Sequence, residues 1–158
     1  MRIDVVCVGR LKEAYWRDAA AEYLKRLTRY ARVEVIEVPD QPAAEKLSAA
    51  QAAQVMEAEG ERILSRIKPE TCAIALDGRG ATMDSVEFSR FLSNLEQQGR
   101  DVAFVIGGSL GLSPRVLSVC RTHISLGKMT WPHQIARILV LEQIYRGYRI
   151  LHHEPYHK

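Results

Sequence analysis

The sequence lacks the features that mark several classes of protein. No apolar run approaches the roughly 18 residues that would cross a bilayer, so we expect no contact with a membrane interior. The opening, MRIDVVCVGR, has too short an apolar core for a signal peptide, and we therefore expect a cytoplasmic protein. The cysteines Cys7, Cys72 and Cys120 are far apart and set among apolar residues, which favours buried thiols over a metal or redox site.

Nucleotide-binding and metal-binding motifs are missing as well. The GGSLG segment at 107–111 is not the dinucleotide fingerprint G-x-G-x-x-G, and it lacks the lysine and hydroxyl pair of a Walker loop. Near the end of the chain, His153 and His157 are four residues apart, as two metal ligands on a helix would be. Pro155 between them disfavours a continuous helix, and we expect no metal.

The composition is that of an ordinary globular protein, 47% apolar and 26% charged, and the 158 residues are one domain's worth of chain. We therefore expect a single domain over residues 1–158. The net charge of +3 is unevenly distributed, since all five histidines lie from residue 121 onward. The basic residues of this part are Arg121, Lys128, Arg137, Arg146, Arg149 and Lys158, against Glu142 and Glu154. Such a region suits an anionic partner such as RNA, although a solvated basic face explains the charge equally well.

Strand-like and helix-like patterns alternate along the chain. Short apolar runs predict strands at 3–8, 33–38, 72–76, 102–106 and 123–126. Helical patterns are predicted at about 13–30, at 43–67, from residue 84, from residue 113 and from the Trp131-Pro132 stop to about residue 148. Gly60 is expected to weaken the second of these helices. The alternation predicts an α/β domain with a largely parallel sheet flanked by helices.

Glycine-containing loops follow the last three predicted strands, at Gly78, Gly107 and Gly127. Because the carboxyl ends of parallel strands meet at one edge of a sheet, these loops can converge on one ligand. The first loop is predicted to span residues 77–80. One such loop is as often a tight turn as a ligand cradle, but three together favour a nucleotide-like ligand. Its rings would lie among four apolar side chains, those of Leu76, Leu126, Met129 and Trp131.

Three parts of the sequence resemble a known family: residues 104–113, residues 132–146, and the ending Pro155-Tyr156-His157-Lys158. They resemble the bacterial ribosomal RNA large subunit methyltransferase H family, which belongs to the SPOUT class of knotted, S-adenosylmethionine-dependent methyltransferases. The resemblance covers essentially the whole chain. It implies methylation at N3 of a pseudouridine in the helix 69 loop of 23S ribosomal RNA within the assembled ribosome. It also implies a C-terminal trefoil knot and a homodimer.

The resemblance implies a cofactor site as well. The expected S-adenosylmethionine-binding residues are Leu76, Gly107, Gly108, Leu126, Gly127, Lys128, Met129, Thr130 and Trp131. A bulky side chain at Gly108 is expected to block the cofactor.

Methyl transfer requires alignment of nitrogen, methyl and sulfur, and help in removing the imide proton. His157 is the first candidate for the proton acceptor, with Tyr156 placing or stacking the base. Arg137 and Arg146 are candidates for stabilising charge on the ring oxygens, with phosphate contact or an ion pair to Glu142 as the alternative. Two other function classes remain open, a non-catalytic RNA- or ribosome-binding factor and a dinucleotide-dependent oxidoreductase.

Overall fold

The computed structural model describes residues 1–158, which form a five-stranded sheet with helices on both faces. In chain order the elements are β1 (Arg2–Val8), α1 (Ala14–Leu27), β2 (Arg32–Val38), α2 (Ala49–Leu64), β3 (Cys72–Thr82), α3 (Ser85–Gln97), β4 (Val102–Ile106), α4 (Pro114–Val119), β5 (Thr122–Ser125) and α5 (His133–Leu151). Neighbouring strands all pair in parallel, in the order β2-β1-β4-β3-β5. The predicted α/β fold is confirmed. None of the helices is long and apolar enough to cross a membrane.

The sheet separates two apolar layers. Helices α1, α3 and α5 pack on one face, where Phe104 of β4 and Leu141 of α5 belong to the larger cluster of buried residues. Helices α2 and α4 cover the other face, where Ile63 and Val116 belong to the smaller cluster. Strand β4 is buried along its whole length because both of its faces are covered, which is why its sequence is continuously apolar.

Side-chain caps fix where several helices begin. Asp84 accepts a hydrogen bond from the Glu87 amide, and Glu87 bonds back to the Asp84 amide, so the predicted capping box of α3 is confirmed. A second capping box, between Ser48 and Gln51, starts α2 six residues later than the alanine-rich pattern predicts. The helix continues through Gly60, which is buried against Ser113 beside α4 and so permits close packing of these helices.

Strand β3 differs from its prediction. Residues 77–80 were expected to form a loop after a strand ending at Leu76, but they lie within β3. The expectation is wrong because pairing with β5 resumes after an interruption: Leu76 and Ala81 both pair with Ile124, and the residues between them form a bulge. A Cβ at Gly80 would lie 2.6 Å from the backbone of His123, so the bulge requires glycine there.

Candidate active site

A cavity of about 730 Å³ lies at the carboxyl ends of β4 and β5, beside the β3 bulge; we call it the loop cavity. Its walls come from the bulge, from the loop after β4 and from the turn between β5 and α5. All nine residues predicted to bind the cofactor line it: Leu76, Gly107, Gly108, Leu126, Gly127, Lys128, Met129, Thr130 and Trp131. The fold therefore brings these residues together.

The loop after β4 is tightly folded on itself. A Cβ at Gly107 would lie 2.7 Å from the backbone carbon and oxygen of Gly111, so only glycine fits without moving the loop. A Cβ at Gly108 would point elsewhere, to 3.0 Å from the Glu59 carboxylate and 3.1 Å from Val8. A larger residue at Gly108 would therefore press first on Glu59.

The turn between β5 and α5 is held by local hydrogen bonds. The Ser125 hydroxyl donates to the Gly127 carbonyl at 2.9 Å and accepts from the Gly127 amide at 3.1 Å. The Trp131 indole donates to the Leu126 carbonyl at 3.3 Å. Two large apolar side chains of this turn remain solvent-accessible, Met129 at 77% and Trp131 at 40%. They offer apolar surface to a ring system bound in the loop cavity.

A second cavity, of about 550 Å³, adjoins the first; we call it the tail cavity because His157 of the C-terminal tail lines it. It shares Leu76, Leu126, Gly127 and Trp131 with the loop cavity. Its remaining wall combines apolar side chains with polar ones from the ends of β3 and β5, the start of α3, α5 and the tail. A ligand here would contact His157 and also the occupant of the loop cavity.

A hydrogen-bonded network centred on Glu142 organises the tail. The Glu142 carboxylate accepts two bonds from Arg146, at 2.9 and 2.6 Å, and one from the Tyr156 hydroxyl at 3.1 Å. Arg146 also stacks over the Tyr156 ring, 4.6 Å from its centroid, and lies 3.3 Å from His157 Nδ1. Three of the four predicted catalytic residues are thus in contact, and Arg146 makes the ion pair considered as its alternative.

Arg137 lies elsewhere, fully buried beneath the start of α5. Its guanidinium donates to Glu37 at 2.7 Å and to the Gly9 carbonyl at 3.0 Å. It lines neither the loop cavity nor the tail cavity, and it makes no bond to Glu142. The structure therefore joins Arg137 to the ends of β1 and β2, and separates it from the other catalytic candidates.

The tail after α5 is anchored. Helix α5 ends at Leu151, so His153 and His157 do not share a helix. Glu154 pairs with Arg29 at 2.9 Å and with Arg149 at 2.7 Å, and it also accepts from the Tyr30 hydroxyl. The Tyr30 hydrogen bond, with the two arginines, holds the pKa of Glu154 below its usual value. These bonds fix the path of the last residues toward the tail cavity.

Two more residues near the site were not predicted to take part in it: Glu59, and His133, which belongs to the 132–146 segment of the family resemblance. Glu59 is 5% exposed, and burial raises the pKa of its carboxyl, which accepts a hydrogen bond from the Gln41 amide at 3.1 Å. The buried Nδ1 of His133 has no hydrogen-bond partner, and burial together with Arg137 lowers the pKa of this imidazole. Both line a third cavity, of about 770 Å³, that meets the loop cavity at Gly108. Glu59 lies in an alanine-rich helix whose pattern does not distinguish it from exposed glutamates.

Comparisons with known proteins point to one family. A family model described as "Predicted SPOUT methyltransferase" matches residues 1–157. The ribosomal RNA large subunit methyltransferase H proteins of Carboxydothermus hydrogenoformans and Enterococcus faecalis are each 50% identical to this chain over 159 residues, covering 100% of both sequences.

Solved structures share the fold at much lower identity. A probable methylase family protein from Haemophilus influenzae superposes with a TM-score of 0.54 at 15% identity, covering 99% of this chain and 70% of that one. A ribosomal RNA small subunit methyltransferase E from Neisseria gonorrhoeae, bound to S-adenosyl methionine, gives a TM-score of 0.50 at 11% identity, covering 96% and 66%.

Proposed function

The chain belongs to the SPOUT methyltransferase family, and on this premise we propose that it transfers a methyl group from S-adenosylmethionine to large-subunit ribosomal RNA. The loop cavity carries the proposal, because the residues expected to hold the cofactor come from separate segments and line one space. The tail cavity adjoins it and contains His157. A cofactor in the first cavity and an RNA base in the second would lie side by side.

The residues of the loop cavity fit this cofactor. Its volume of about 730 Å³ lies within the range of small-molecule sites. Leu76, Leu126 and Trp131 offer apolar surface for the adenine, and backbone groups of the two loops offer hydrogen bonds to its edge. When bound, S-adenosylmethionine supplies a methyl group on a positively charged sulfur, which is a good leaving group without help from a metal.

We infer further that the acceptor is N3 of a pseudouridine in the helix 69 loop of 23S ribosomal RNA, within the assembled ribosome. A bond forms between N3 and the methyl carbon as the bond from that carbon to sulfur breaks, and the N3 proton passes to a base. His157 is assigned as that base, since it lines the tail cavity and histidine accepts protons near neutral pH. Because the two cavities adjoin, they would hold the base next to the methyl donor, and such proximity lowers the barrier to displacement.

Arg146 and Tyr156 are assigned supporting roles. The hydrogen bonds that Arg146 donates to Glu142 raise the pKa of Arg146, so this guanidinium stays cationic and can stabilise negative charge on the ring oxygens. Burial and the neighbouring Glu142 carboxylate raise the pKa of Tyr156, so its hydroxyl stays protonated and donates to Glu142. Tyr156 therefore places the tail and does not act as a base. Arg137 is assigned a structural role because of its burial.

The proposal includes a C-terminal trefoil knot and a homodimer. In support of the knot, α5 follows the edge strand β5 and packs on the same face as α1 and α3, so the chain crosses back over the sheet. In support of the homodimer, Ile135, Ile138 and Leu139 of α5 are only half-buried in the single chain. Sedimentation at micromolar concentration is expected to give a dimer, and a monomer would count against this part.

Deletion of residues 156–158 tests the proposed function. The full chain is expected to transfer radiolabelled methyl from S-adenosylmethionine to unmethylated ribosomes, with the label in the large-subunit RNA. The deletion is expected to abolish transfer while calorimetry gives an unchanged cofactor affinity, because the tail does not line the loop cavity. Ribosome binding without transfer by the full chain would instead support a non-catalytic binding factor. Unchanged turnover by the truncated protein would overturn the roles assigned to the tail.

A further inference from the structure

The side chain of Gln143 on α5 lines the tail cavity in a fixed orientation. The Ser85 hydroxyl donates to Gln143 Oε1 at 2.8 Å, and Gln143 Nε2 donates to Glu142 Oε2 at 2.6 Å. An ionised carboxylate can only accept hydrogen bonds, so the amide nitrogen has to face Glu142. A rotated amide would set two acceptors against each other. The two hydrogen bonds therefore fix the orientation of the amide, with Nε2 toward Glu142 and Oε1 toward Ser85.

The two bonds leave part of this amide unused. A glutamine amide has two N–H groups and two carbonyl lone pairs, and one of each is taken by Glu142 and Ser85. The remaining N–H and lone pair are available to a ligand, and a primary amide can present such a donor and acceptor side by side. They complement a ligand edge that carries one C=O and one N–H next to each other. Apolar groups that include Phe88 and Leu139 make up most of the rest of the wall, as suits the faces of a flat base.

We propose that Gln143 recognises pseudouridine and rejects uridine, an inference that rests on the proposed function. In uridine the ribose is attached at N1, which therefore has no hydrogen. In pseudouridine the ribose is attached at C5, and N1–H lies next to the C2 carbonyl. Gln143 Oε1 would accept from N1–H while its free N–H donates to O2. Since N3 lies on the other side of the C2 carbonyl, this pairing leaves N3 open to methylation.

Ser85 and Glu142 fix the orientation of the Gln143 amide. Glu142 is also the acceptor for Arg146 and Tyr156, so the same carboxylate that orients Gln143 orients the tail. The hydrogen-bonded chain runs from Ser85 through Gln143, Glu142 and Arg146 to His157. Recognition of the base and placement of His157 are therefore linked through Glu142.

The test compares ribosomes that carry either pseudouridine or uridine at the acceptor position. Wild-type protein is expected to show a higher kcat/KM for pseudouridine, by roughly 10- to 100-fold for a paired donor and acceptor. Gln143→Met keeps the size of the side chain and removes both polar groups. It is expected to lower kcat/KM on pseudouridine more than on uridine, so that the two values become similar. Met83→Leu is the matched control: it changes the same cavity wall without a polar group and is expected to keep the preference.

Several outcomes would overturn the inference. Wild-type protein without a preference would show that N1–H is not read, and a preference retained by Gln143→Met would show that another group reads it. If thermal melting shows that Gln143→Met is unfolded, Ser85→Ala takes its place. This variant removes one of the two bonds that orient the amide, and it has to reduce the preference part of the way. A wild-type protein inactive on both ribosomes, while still binding the cofactor, would remove the proposed function and this inference with it.

Discussion

The two members of the ion pair between Arg137 and Glu37 should differ in how much the removal of each one destabilises the protein. Arg137 has no exposed side-chain surface, whereas the Glu37 side chain is 37% exposed. Glu37 also accepts a hydrogen bond from the Leu11 amide at 2.9 Å. We expect Glu37→Ala to destabilise the protein more than Arg137→Met, although each change removes one half of the same pair.

The magnitudes follow from what each variant leaves behind. Glu37→Ala leaves the buried guanidinium of Arg137 without its carboxylate partner. An unpaired buried charge of this kind typically lowers the free energy of unfolding by about 3–5 kcal/mol. Arg137→Met leaves no buried charge, because Glu37 can be hydrated, and the orphaned group is the Gly9 carbonyl, at about 1–3 kcal/mol. For a domain of this size each kcal/mol shifts the melting temperature by about 2–4 °C. The double variant should be more stable than Glu37→Ala alone, since it no longer buries an unpaired charge.

Urea denaturation at pH 7 followed by tryptophan fluorescence measures these differences, with one protein concentration throughout because self-association would contribute to stability. The expected order of stability is wild type, Arg137→Met, the double variant, then Glu37→Ala. A cost for Glu37→Ala no larger than that for Arg137→Met would refute the reasoning. Additive costs in the double variant would refute it too, since additivity means that the two groups do not interact.

Three further predictions concern other parts of the molecule. Burial raises the pKa of Cys7 to about 12 and that of Cys120 to about 11. A thiol reagent at pH 8 should therefore modify no more than one of the three free cysteines until the protein is denatured. Rapid modification of two or more cysteines in the folded protein would contradict this. Burial also raises the pKa of Glu59, so the ionised carboxylate destabilises the folded protein above that pKa. Glu59→Gln should therefore raise the melting temperature at pH 7.5, and the increase should become smaller toward pH 4. A lower melting temperature at pH 7.5 would show that the charge is needed. Gly107→Ala should weaken S-adenosylmethionine binding about tenfold or more in calorimetry because its Cβ would lie 2.7 Å from the backbone of Gly111 and displace the loop. An unchanged affinity would argue against the loop cavity.

The strands were the most predictable part of the fold. The bounds predicted for β4 are those of the structure, because a strand covered on both faces has to be apolar throughout. Local signals were equally reliable where a side chain bonds to a nearby backbone, as Asp84 does at the start of α3. The start of α2 was less clear, since alanine favours helix throughout 43–67 and only the Ser48 cap selects one start.

Contacts between residues far apart in the chain could not be predicted from the sequence. The bulge in β3 depends on pairing with β5, which no pattern within residues 77–80 reveals. An arginine that interrupts an apolar helix face gives no hint of its partner, and Glu37 lies 100 residues before Arg137. The convergence of the glycine loops was predictable because a parallel sheet gathers the ends of its strands at one edge. Gln143 and Glu59 belong to helices, and only their neighbours in space distinguish them.

Mass spectrometry of helix 69 RNA can show whether this protein methylates the proposed nucleotide. Ribosomes that lack the methyl group would be incubated with this protein and S-adenosylmethionine, and the RNA would be digested and its nucleotides analysed. We expect one added methyl group, located at N3 of a pseudouridine in the helix 69 loop, and no addition when the cofactor is omitted. A methyl group on another nucleotide would contradict the proposed substrate. No methyl group anywhere in the large-subunit RNA, from protein shown to bind the cofactor, would contradict the proposed function as a whole.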